Sequence, residues 1–162
     1  MKHFALLFTC ILLFPLLSSC SKDDDGGNND SSSNKYSYMD RTVTINMVEY
    51  AEIEDDVYIF LMNQNNYYDF VQIIFANSGT LASLDGTYTL NTDRYNPNYN
   101  SGANFWQGNI GYEENVLGDS ATAGQVIIEN QWGSNIKITF QFTMPNGNAS
   151  GIYEGVIIKR NF

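Results

Sequence analysis

The sequence predicts an all-β fold: a single antiparallel domain of about eight strands, built either as a β-sandwich or as a calycin-like up-and-down barrel. Three observations predict it. Residues 135–143 alternate cleanly, with Ile136, Ile138, Phe140 and Phe142 on one face and Lys137, Thr139, Gln141 and Thr143 on the other. That is the period-2 pattern of a sheet with one wet face. Turn-forming clusters punctuate the rest of the chain at short intervals. No window holds a sustained 3.6-residue apolar period, and helix formers are scarce beside Asn, Thr, Tyr and Ile.

The strands follow in order. Residues 41–49 alternate, placing Val43, Ile45 and Met47 on one face. Residues 56–63 hold a nearly continuous apolar run from Val57 to Met62, as expected of a strand covered on both sides. Residues 69–76 come next, after a polar turn at 64–68. Asn77-Ser78-Gly79 and Leu84-Asp85-Gly86 bracket a loop before the short strand 87–90. Strands at 105–113, 124–130, 135–143 and 151–160 complete eight. The last two join through Met144-Pro145-Asn146-Gly147, where Pro presets φ and Asn-Gly accepts positive φ. The domain is read as 36–162.

The first twenty residues read differently. Met1-Lys2-His3 gives a short positive start, and residues 5–17 are almost unbroken apolar. A run of about thirteen residues is too short to span a bilayer, which takes roughly 20, and fits a secretory signal instead. It ends in Leu17-Ser18-Ser19-Cys20, which resembles a lipobox. The resemblance implies cleavage after Ser19 and diacylglycerol transfer to the Cys20 thiol. Acyl chains contribute about 0.8 kcal/mol per buried methylene, so a doubly acylated terminus anchors without a transmembrane segment. Ser21, Lys22, Asp23, Asp24 and Asp25 follow directly and resemble the surface-export signal of Bacteroidetes lipoproteins. Residues 21–35, rich in Gly, Asn, Asp and Ser, read as a flexible tether. The ending, from Ile138 through Gly151-Ile152-Tyr153-Glu154-Gly155, resembles the C-terminal hairpin of small Bacteroidetes-type surface lipoproteins. That resemblance implies a β-fold and carries no activity or site residues with it; the outer membrane as location is what the export-signal resemblance after Cys20 implies.

Composition excludes a good deal of chemistry. Eight Lys and Arg stand against eighteen Asp and Glu, a formal charge of −10, and loss of Lys2 with the signal leaves −11. Such a chain repels phosphate backbones, so nucleic acid is not an expected partner. The single histidine, His3, and Cys10 leave with the signal, and Cys20 is acylated. The mature chain then has no Ser-His-Asp or Cys-His site, no His/Cys zinc site and no disulfide. No phosphate-cradling or calcium-binding loop motif is present. Neither cofactor nor metal is expected.

The remaining candidates are contact residues. Residues 91–106 form a long loop rich in Asn and Tyr. Tyr95, Tyr99 and Trp106 offer flat apolar faces to sugar rings, with Asp93, Asn96, Asn98 and Asn100 as hydrogen-bonding partners. The alternative makes Phe105 and Trp106 the start of a strand. Tyr67, Tyr68 and Trp132 are further aromatic candidates at turns. Glu49, Glu52, Glu54, Asp55 and Asp56 form an acidic cluster, read either as a solvated face or as a loose cation site. A pair such as Glu113 and Glu154 is the nearest approach to a glycosidase pair. Asp119-Ser120-Ala121 matches the Asp-Ser/Thr-aliphatic pattern of O-glycosylation in Bacteroidetes, placing Ser120 in an expected loop. The reading is a non-catalytic cell-surface binding lipoprotein with glycan as ligand class. The alternatives are a structural or protein-interaction subunit of an envelope complex, and a lipocalin-like carrier, which would need an unfilled barrel.

Overall fold

The computed structural model describes residues 34–161. Cys20 and the segment Ser21, Lys22, Asp23, Asp24 and Asp25 lie outside them. The strands are β1 (Lys35–Tyr38), β2 (Arg41–Thr44), β3 (Met47–Ile53), β4 (Asp56–Asn63), β5 (Asn66–Phe75), β6 (Gly86–Leu90) and β7 (Asn104–Phe105). They continue as β8 (Gln107–Tyr112), β9 (Asn115–Ser120), β10 (Ala123–Asn130), β11 (Asn135–Met144), β12 (Gly147–Val156) and β13 (Ile158–Lys159). The first sheet runs β2-β1-β12-β11-β10-β6-β7, and the second β13-β3-β4-β5-β8-β9. The two pack together as a sandwich and do not close. The calycin-like barrel is therefore not the architecture, and neither is the unfilled interior a carrier would need. Buried side chains from both sheets fill the space between them, including the aromatic run Phe140, Phe142, Phe105, Phe75 and Tyr88.

The cleanest sequence pattern gives the cleanest strand. Ile136, Ile138, Phe140, Phe142 and Met144 of β11 are all buried, and their neighbours are not. β11 is central and pairs along its length with β10 and β12. The β11–β12 turn is Pro145-Asn146, with the positive φ falling on Gly147 alone.

Where a strand changes sheets, sequence and structure diverge. The segment 41–49 is two strands, β2 in the first sheet and β3 in the second. Ile45 donates its N–H to Asn34 O at 2.9 Å and Asn46 to Met62 O at 3.1 Å, one bond for each sheet. Alternation slips there: Val43 and Ile45 are buried, then Val48 instead of Met47. Trp106 divides the expected strand 105–113 in the same way, into β7 and β8, its N–H turned to Ile74 O at 2.7 Å. Ala121 and Thr122 carry the chain from β9 back to the first sheet, bonding Gly108 O and Thr143 O. Ile157 divides the expected strand 151–160 into β12 and β13. Ile45, Ala121 and Ile157 are buried at these corners, a way of turning strands between packed sheets. Two short edge pairings, β6–β7 and β13–β3, are parallel, in a fold otherwise antiparallel as expected.

Two further expectations need correcting. β4 is not fully covered on both faces: Val57, Ile59 and Leu61 are buried, but Tyr58 and Phe60 are half-buried. The Arg160 guanidinium lies over the Phe60 ring at 4.8 Å. Residues 115–120, read as loop, form edge strand β9. Its exposed Val116 and Leu117 hide the alternation that burial would have imposed.

Candidate functional site

The loop 91–106 leaves β6, borders β7 and ends at the start of β8. It is held mainly by its own asparagines. Asn91, Asp93, Asn96 and Asn100 each accept, through the side-chain oxygen, the backbone N–H two residues on, at 3.3, 3.1, 2.9 and 3.0 Å. Asn104 Oδ1 also accepts from Asn100 N at 2.9 Å. These are Asx turns in series, in which a short side chain replaces the hydrogen bonds of a missing ladder.

Side chains of Tyr99 and Arg94 dock the loop to the sandwich, and that of Trp106 ties it to itself. The Tyr99 hydroxyl donates to Ala76 O and accepts from Ala76 N, both at 3.2 Å. Trp106 Nε1 donates to Thr92 O at 3.0 Å. Arg94 reaches Asp56 at the start of β4 with two bonds, of 2.6 and 2.8 Å, and Asn77 Oδ1 at 3.1 Å. The bond to Asp56 raises the Arg94 pKa, so the guanidinium stays charged. Its plane lies 4.9 Å from the Trp106 ring centroid and 5.9 Å from that of Tyr95.

The sequence candidates therefore separate. Tyr99 is half-buried and serves as a latch, its phenol pushed up in pKa by burial. Trp106 is half-buried, beside Arg94. Asn100 is engaged within the loop. Tyr95 is 89% exposed, and Asn98 is also exposed, its side-chain amide unbonded among the described residues. Arg94, which organises the site, was not singled out from the sequence. The available signal was that it is the one basic residue in residues 91–106.

The acidic cluster is largely neutralised by distant basic residues. Arg160 Nε donates to Glu49 at 2.7 Å, Lys159 pairs with Glu52, and Arg94 with Asp56. Glu52 is held below its usual pKa, first by Lys159. Among the described residues no group of three or more His, Cys, Asp and Glu side chains is placed to hold a metal ion. Glu113 sits in the β8–β9 turn and Glu154 on β12 in the other sheet, where the Glu154 carboxylate accepts from Gln131 Nε2 and its backbone bonds the Asn34 side-chain amide. No contact joins the pair.

Ser120 is on β9 and not in a loop, its hydroxyl donating to Asn109 Oδ1 at 2.9 Å. The neighbouring Asp119 is a hub. It accepts from Tyr38 at 2.6 Å, Asn115 at 3.0 Å, Asn146 at 3.0 Å and Tyr112 at 3.3 Å. Tyr67 and Tyr68 are exposed but stand at the start of β5, not in a turn, and Trp132 is exposed in the β10–β11 turn. No family model matches the chain, and no curated protein or solved structure was found to be similar to it.

Proposed function

We propose that this chain is a non-catalytic cell-envelope lipoprotein, anchored through Cys20 at the outer membrane and facing outward, that binds glycans through the 91–106 loop. One observation carries the reading: Tyr95 stands 89% exposed on a loop otherwise tied down by Asx turns, the Tyr99 latch and the Arg94–Asp56 pair. An aromatic ring held in water by a rigid support loses little entropy on binding. Its flat face suits the C–H face of a sugar, and the exposed Asn98 amide on the same loop suits a hydroxyl rim. The lipobox-like sequence and the acidic run after Cys20 support the location.

The test is a glycan panel on the full chain beside Tyr95→Ala. The side chain is exposed and makes no hydrogen bond, so this variant keeps its fold. Binding weakened about ten-fold or more in the variant is the expected outcome. Equal binding by both proteins would remove the loop from the reading, and silence across the panel would remove glycans.

A second reading, an interaction subunit, is favoured by β9. This strand closes one side of the second sheet and shows Leu117 at 86% exposure beside exposed Val116. An uncovered apolar edge is a template for pairing with another chain. Crosslinking through Leu117 on intact cells is the measurement to make if the panel is silent.

A further inference from the structure

A cleft of about 330 Å³ opens between the β1–β2 hairpin and β8, away from the 91–106 loop. Its volume lies at the lower end of the roughly 300–1,000 Å³ usual for small-molecule sites. Tyr36, Tyr38 and Tyr112 line it, with Met39, Arg41 and Glu114 among the other lining groups. We propose that this cleft binds a small organic cation, an alkylammonium group with an oxygen atom close to the charge.

The argument begins with the tyrosines. Tyr36 is only 3% exposed as a residue, but its hydroxyl is not itself buried and makes no hydrogen bond among the described residues. A phenol that lines a cleft without a protein partner can donate to an oxygen of a bound molecule. Tyr38 and Tyr112 donate their hydroxyls to the Asp119 carboxylate, at 2.6 and 3.3 Å. A phenol donating to a carboxylate gains electron density, which strengthens the attraction of its ring for a cation.

Three other basic side chains sharpen the point, although Lys137, paired with Glu129, also lies over no ring. Arg94, Lys159 and Arg160 each pair with a carboxylate and also lie over an aromatic ring. Arg41 pairs with buried Asp69 at 2.8 Å and lies over none, so the three tyrosine rings have no cation of their own. With Asp69 neutralising Arg41, Glu114 leaves the mouth of the cleft negative. Asn66 Nδ2 takes the other Asp69 oxygen at 3.1 Å, so that carboxylate is not free for a ligand. The hairpin tip is also unusual. Met39 and Asp40 both hold positive φ, 52° and 59°, at positions where such turns favour Asn and Gly. Met39 is thereby set at the mouth, where a thioether contacts an alkylammonium group favourably. Strained backbone of this kind concentrates around binding sites.

The test is titration of the full chain with choline and, in parallel, with its neutral isostere 3,3-dimethyl-1-butanol. Choline should bind and the isostere should bind at least about ten-fold more weakly. Glu114→Gln, an exposed change that leaves packing alone, should weaken choline about three-fold, with the difference fading at high salt. Tyr36→Phe keeps the ring and should weaken choline further while sparing tetramethylammonium, which has no oxygen to receive the hydroxyl. Phosphatidylcholine vesicles form a second arm: capture of vesicles without binding of free choline would place the cation on a lipid head group. Equal affinity for choline and the isostere would overturn the proposal, as would silence in both arms.

Discussion

Tyr95 and Tyr99 are four residues apart in a loop of nearly uniform composition, and they have opposite roles. One faces water and the other is tied to Ala76 from both sides of the peptide. Sequence chemistry makes them equal, and only the approach of β5 separates them. Arg94 illustrates the same point with charge. Asp56 is buried, and among the described residues its partners are Arg94 and the Asn77 N–H. Removing the guanidinium would leave a buried carboxylate poorly compensated. Arg94→Met should therefore cost about 2–3 kcal/mol in urea unfolding and release the loop. Loss of less than about 0.5 kcal/mol would mean that Asp56 is satisfied without it.

At the level of the element, the strands that lie within one sheet were readable from their alternation, β11 above all. Those that pass between sheets were not. Ile45 and Trp106 each fall inside a stretch that keeps strand-forming composition across the crossing, so nothing local marks the change of partner. Gly151 is a second kind of element-scale feature. It faces Phe140 on β11 and Tyr36 on β1, and a Cβ there would lie 2.5 Å from the Phe140 ring and 2.7 Å from Tyr36 Cβ. The glycine lets two large rings sit against the middle of β12. Gly151→Ala should lower stability by about 1–3 kcal/mol through overpacking, read as a fall in Tm. Gly133→Ala, with nothing within 4 Å of its Cβ but a φ of 76°, is the control that separates crowding from backbone strain.

For the molecule as a whole, Asp119 ties β9 of the second sheet to β1 and the β11–β12 turn of the first. These bonds, that from Tyr38 foremost, hold its carboxyl below the usual aspartate value. A depressed carboxylate stabilises the fold fully above its unfolded pKa of about 3.9, and that contribution is lost as pH falls through the lower folded value. Tyr38 acts at the other limit. Burial, then its bond to Asp119, pushes the phenol up to about 12. Its contribution is intact below the unfolded value of about 10 and is lost as pH rises toward the folded one. Urea midpoints should therefore fall at both acid and alkaline limits, and Tyr38→Phe should flatten both limbs. An acid limb that is unchanged in the variant would show that Asp119 draws its stabilisation from the other three donors.

The sequence by itself determined the all-β class, the central strands, the C-terminal hairpin and the absence of His and Cys chemistry from the described domain. Each of these follows from local information: residue type, period-2 alternation and turn composition. Tertiary structure decided the rest. It chose the open sandwich over the barrel, because closure depends on how strands pair across the whole sheet and no local pattern records that. It paired Arg94 with Asp56 and Arg160 with Glu49, across 38 and 111 residues. It also set three tyrosines from β1 and β8 around one cleft. Charge and aromaticity were visible in the sequence, but which groups meet depends on contacts between strands far apart in the chain.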